Sequence, residues 1–138
     1  MADDPAGRER QLAAIDPDGT GEHHSLLRRI LSVEAQYRRD GEPGDYFENF
    51  YWCAFLLYCV GDVDDALTLW RAKHTDFDSS LYFDWQYLLG AGVEPTLSHL
   101  RDTGHADIAD LLADRLVDEP DLEYWEQGRR RYFYPPDR

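Results

Sequence analysis

The side chains best suited to chemistry in this sequence are its histidines, cysteines and acids, and their spacing decides what each could do. His74, Asp76 and Asp78 alternate along a short run that could offer ligands to a metal ion. A zinc site needs three or four ligands closing on one point, and this run has no recognisable return, so the three read as surface residues of a polar loop. Asp16-Pro17-Asp18-Gly19-Thr20-Gly21-Glu22 resembles the opening of a calcium loop. Aligning Gly19 with the invariant glycine of such a loop puts Ala14 and Ser25 where acidic ligands are required, so a plain turn is expected. His23 and His24 are neighbours and point to different faces of a helix. His99 and His105 straddle a helix break.

Cys53 and Cys59 lie within the apolar run Tyr51 to Val60. A nucleophilic thiol needs a base and a polar setting, and these two read instead as small core residues. On a helix they stand about 9 Å apart along the axis at 1.5 Å per residue, which excludes an internal disulfide. Reduced, buried cysteines fit a cytoplasmic protein. No nucleophile elbow, P-loop or dinucleotide fingerprint occurs. With 28 acids in the chain, any chosen catalytic pair is uninformative. The expectation is a protein without catalytic residues, metal or cofactor, and not an enzyme. A small metal-dependent enzyme built on His74, Asp76 and Asp78 is the weakest alternative.

The acids carry a clearer signal as a surface. From Asp102 to Glu126 there are nine acids and one base, Arg115. Asp107, Asp110, Asp114 and Asp118 recur at helical spacing and share a face opposite Ile108 and Leu112. With Asp121, Glu123 and Tyr124 they form the expected partner-binding residues, since such a face attracts a basic protein. The plain alternative is a solvated helix face. Tyrosines at positions 46, 51, 82, 87, 124 and 132 exceed what the core needs, and some are expected beside the acids. The net charge of −14 argues against nucleic acid and against an anionic membrane. The longest apolar run is too short to span a bilayer, and the charged N-terminus lacks the apolar segment of a signal peptide.

These residues must be held by helices. Residues 1–21 read as a flexible tail, with a short helix conceivable around Arg8 to Ile15, and 22–138 as one helical domain. Apolar periodicity predicts helices over about 22–39, 46–60, a segment after Asp62, 80–89, a segment from Val93, 106–117 and 121–132. Asp45 with Glu48 is a capping-box signature, and Asp62 is the expected cap of the next helix. In this phase Leu81, Trp85 and Leu88 face inward, as do Ile108, Leu111, Leu112 and Leu116. The fold expected is all-α, with six to seven helices packed as antiparallel hairpins.

The pattern G-x-x-D-x-A-x-x-L occurs at Gly61 to Leu69 and again at Gly104 to Leu112, 43 residues later. Each copy joins two helices through a glycine turn, as in helical-hairpin repeats that stack into a short HEAT-like or ankyrin-like solenoid. The segment Pro95 to Leu112, with its Gly104-His105-x-Asp107-Ile108 stretch, resembles an ankyrin repeat. It departs from that family at Pro95-Thr96-Leu97-Ser98, where the usual T-P-L-H box is scrambled. The stretches Leu69 to Asp78 and Phe83 to Glu94 resemble small actinobacterial proteins, and that resemblance implies an immunity role beside a secreted toxin. The function expected is therefore non-catalytic protein binding: an immunity or inhibitor protein that neutralises a basic toxin. The alternative is a helical-repeat scaffold or adaptor with a peptide groove.

Overall fold

Apolar stripes of helical period run along most of the chain, and they fold as helices. The computed structural model describes residues 1–42, 44–118 and 121–136, with 117 and 118 described by backbone alone. In chain order the α-helices are α1 (Pro5–Ala13), α2 (His24–Arg39), α3 (Glu48–Val60), α4 (Ala66–Lys73), α5 (Phe77–Tyr82), α6 (Val93–Asp102), α7 (Ala106–Asp118) and α8 (Leu122–Phe133). Short 3₁₀ turns cover Gly21–His23, Gly44–Tyr46, Val63–Asp65 and Trp85–Leu89. Among the described residues there is no strand, and eight α-helices stand where six to seven were expected. No described helix is long and apolar enough to cross a membrane.

α3 is the central element. It is apolar on every side, and a helix of that kind must be surrounded. Phe50, Cys53, Ala54, Phe55, Leu56 and Leu57 are all essentially inaccessible. α2 lays Leu27, Ile30 and Leu31 into the same core. From α8, the Phe133 ring stacks on Phe55 and on Trp52, with centroids 5.7 and 5.8 Å apart. α3 begins after Phe47 without a side-chain cap, so the expected capping box at Asp45 is not used.

The N-terminal segment is not a tail. α1 is seated in the core through Leu12, and Ile15 follows it there. Arg8 is buried and donates from Nε to Glu34 of α2 at 2.7 Å. Tyr134, just past α8, donates its hydroxyl to the carbonyl of Ile15 at 2.8 Å and accepts from Trp52 Nε1 at 3.0 Å. The two ends of the chain are thereby tied together. Leu12 and Ile15 are the only buried apolar side chains over this stretch, beside the polar Arg8 and Thr20, which is too few to make a helical stripe visible in the sequence.

The helix expected over 80–89 is two elements. Asp76 accepts from the Ser79 amide at 2.7 Å and so starts α5 several residues earlier. After Tyr82 the backbone turns extended at Phe83 and Asp84. Phe83 is thereby buried completely. The break leaves carbonyls without helical partners, and Lys73, the chain's single lysine, donates to those of Ser80 (2.8 Å) and Phe83 (2.7 Å). Burial lowers the pKa of this ammonium.

Both segments of the 43-residue pattern are helix–glycine–helix units. Gly61 follows α3 with φ +74° and Gly104 follows α6 with φ +85°, a left-handed conformation that a Cβ disfavours. Asp62 accepts from the Asp64 amide and caps the 3₁₀ turn that precedes α4. Asp65, buried at the start of α4, lies 2.6 Å from His24 Nε2 and accepts from Arg28 Nε at 2.7 Å, which fixes α4 to α2.

Candidate protein-binding face

α7 packs through Ile108, Ala109 and Leu112, and this sets the direction of its other side. At about 100° per residue, Asp107, Asp110 and Asp114 fall within a sector of about 60°. All three are exposed. Asp110 pairs with the exposed Arg101 of α6 at 3.1 Å. The side chain of Asp118 lies outside the described residues. Asp121 is the N-cap of α8 and accepts from the Tyr124 amide at 3.2 Å. Glu123 and Tyr124 are exposed in the first turn of α8. Among the described residues no hydrogen bond or ion pair joins them to the α7 row. Of the seven residues expected from sequence, then, three form a row on α7, one caps α8, two are exposed in the first turn of α8, and the side chain of Asp118 lies outside the described residues.

Leu111 corrects the expected phase of α7. It is 53% exposed rather than inward, at about 40° from Asp107 around the helix. Leu81, also expected inward, is 59% exposed, because the break after Tyr82 leaves α5 a single short helix on the surface. Both leucines line one groove of about 570 Å³ between α4, α5, the Trp85–Leu89 turn and α7. Trp70 and Trp85 contribute aromatic wall to it, and Lys73, His74 and Arg115 are its basic groups. The Lys73 ammonium is already committed to two carbonyls.

The groove is polar over much of its lining, with Ser80, Asp84 and Gln86 beside the basic groups, and Leu81 and Leu111 give it two apolar lips, the second next to the acidic row. The chain matches no protein-family model, no curated protein and no solved structure.

His74, Asp76 and Asp78 do not converge. His74 packs against the Trp70 ring at 4.4 Å and uses Nδ1 on the Trp70 carbonyl, while Asp76 caps α5. Among the described residues no three His, Cys, Asp or Glu side chains gather in a metal-holding arrangement. Asp16 accepts from the Asp18 amide in a simple turn. Cys53 and Cys59 are free. Burial raises both thiols, Cys59 to about 12, so neither carries appreciable thiolate near neutrality. The tyrosines divide: Tyr51 and Tyr87 are buried, whereas Tyr82, Tyr124 and Tyr132 are exposed.

Sequence reasoning missed the groove because its lips come from helices thirty residues apart. One signal was available. Leu111 borders the aspartate row as closely as it borders the core stripe, and a leucine on that boundary can face either way.

Proposed function

We propose that this chain is a non-catalytic protein-binding protein that takes a basic polypeptide, in the manner of an immunity or inhibitor protein that neutralises a basic toxin. The observation that carries the reading is the pair Leu81 and Leu111, each more than half exposed on the lips of one groove beside the Asp107, Asp110 and Asp114 row. Two exposed leucines on the lips of one groove offer a partner apolar surface to cover. Apolar side chains of the partner enter between the leucines and over Trp70 and Trp85, and its cations meet the aspartates. The affinity comes from the buried apolar contact, and the charges set partner choice and association rate.

The test is co-purification with the product of the adjacent gene, followed by a salt titration. Association that weakens steeply between about 50 and 500 mM salt supports the reading, because exposed charge contacts are screened over about a Debye length. No complex at low salt sinks it. A second reading, a helical-repeat scaffold of stacked antiparallel hairpins, draws on the matching left-handed glycines Gly61 and Gly104. It expects binding through apolar contact alone, indifferent to salt.

A further inference from the structure

A second cleft, of about 590 Å³, opens on the other side of α5 and goes beyond the reading above. Its walls are aromatic, with Tyr51, Tyr82, Tyr87 and Tyr132 contributed by four different elements. In a chain of net charge −14, it also holds two arginines, Arg38 and Arg129.

The two arginines differ in how they are paired. Arg38 is 8% exposed, and its hydrogen bonds go to neutral oxygens: Nε to Ser79 Oγ and Nη2 to Tyr51 Oη, each at 2.9 Å. It also pairs with Asp76, whose Oδ2 stands 3.6 Å from Nε while Oδ1 caps α5. Its Nη1 is buried and has no hydrogen-bond partner among the described residues. Arg129 lies over the Tyr132 ring, its guanidinium carbon 4.7 Å from the centroid, and pairs with no carboxylate among the described residues. Two acids also border the cleft. Glu48 faces the Tyr132 hydroxyl, and Asp78 is exposed on α5.

We infer that this cleft binds a small aromatic carboxylate, with the ring between the tyrosines and the carboxylate on Arg129, in reach of the Arg38 charge. The ring follows from the walls, since a flat apolar body can stack or pack edge-on against tyrosines. The carboxylate follows from the guanidinium, whose planar fork suits two oxygens. A basic ligand is disfavoured by both arginines. A neutral aromatic ligand would leave Arg129 without a carboxylate.

Titration calorimetry with benzoate, 4-hydroxyphenylacetate and indole-3-acetate, each against its own amide, tests this on the full chain. At least one acid should bind saturably, and its amide should bind about tenfold more weakly or worse, the usual scale of a hydrogen bond to a charged group. Arg129→Gln should bring the acid down to the level of its amide, with an unchanged melting temperature. No saturable binding by any of the three acids overturns the inference. So does equal affinity for acid and amide, a comparison that needs no variant. An acid that binds Arg129→Gln as well as it binds the parent chain overturns it too. The groove beyond Leu81 plays no part in these readings, so their outcome is separate from that of partner binding.

Discussion

Arg8 Nε donates to Glu34 Oε2 at 2.7 Å with both side chains almost wholly buried, and this contact joins the first helix to the second. Asn49 donates to the same Glu34 oxygen at 3.2 Å, so three helices or their flanks meet at one carboxylate. The Arg8 guanidinium also lies 4.8 Å over the Tyr37 ring.

Removing one partner of a buried pair strands the other. Glu34→Ala should destabilise the fold by about 3–5 kcal/mol, because Arg8 keeps its charge without a counter-ion. Deleting residues 1–20 should also lower the melting temperature markedly, since Leu12 and Ile15 leave the core and each contributes about 1.5–3 kcal/mol. Urea denaturation of both variants is the measurement. A truncated chain that melts like the intact one would show that the N-terminal segment merely rests on the surface.

Gly90 has no room for a side chain. A Cβ there would collide with the carbonyl of Tyr58, which is backbone and has little freedom to yield. At this point the end of α3 crosses the Trp85–Leu89 turn. Gly90→Ala should cost about 1–3 kcal/mol or more, through displaced backbone rather than lost contact. Gly21→Ala is the matched control, because nothing stands within 4 Å of its Cβ position. Equal melting temperatures for the two variants would refute the close approach.

Much of the helical skeleton could be read from the sequence, because helices α2, α3, α6, α7 and α8 each carry a long periodic stripe or a distinct stop. What escaped was set by partners far apart in the chain. Arg8 finds Glu34 across 26 residues, and no local period announces it. The run 80–89 has helical spacing throughout, yet Asp76 and Lys73 divide it. The aspartate row on α7 was legible because one helix carries it. The groove and the aromatic cleft were not, since each is assembled from several elements.

Asp76 makes α5 sensitive to acid. Burial alone would raise its carboxyl, but the hydrogen bonds from Ser79 and the charge of Arg38 outweigh this and hold it below its ordinary value. A depressed folded-state pKa stabilises the fold above the unfolded pKa of about 3.9, and that stability is lost as pH falls through the folded value. Asp76→Asn keeps a capping oxygen but removes the charge that faces Arg38, so it should cost a few tenths of a kcal/mol to about 1 kcal/mol at pH 7. Between pH 5 and the folded value of Asp76 the two proteins should converge. Thermal melts across that range check this, and a stability gap that stays constant down to low pH would rule it out.

Reversing two charges on α7 separates a binding face from a solvated one. Asp110 and Asp114 are exposed, and the one described ion pair either makes is that between Asp110 and the exposed Arg101. Replacing both with arginine removes an exposed pair and sets Arg101 against a new like charge. Such surface changes amount to about 1 kcal/mol or less, so the melting temperature should move by only a few degrees. Against a basic partner the same change turns attraction into repulsion, which can cost several kcal/mol. Leu111→Ser provides a second arm. The leucine is more than half exposed, so its loss should change stability by about 0.5 kcal/mol or less while removing an apolar anchor. The two variants should fail differently. The charge reversal should slow association and weaken its dependence on salt, whereas Leu111→Ser should speed dissociation with the salt dependence intact. Stopped-flow kinetics with the adjacent gene product distinguishes these cases. If affinity survives the double reversal, the aspartate row is only a wetted helix face. If the melting temperature collapses, one of the two aspartates supports the packing of α7 against α6.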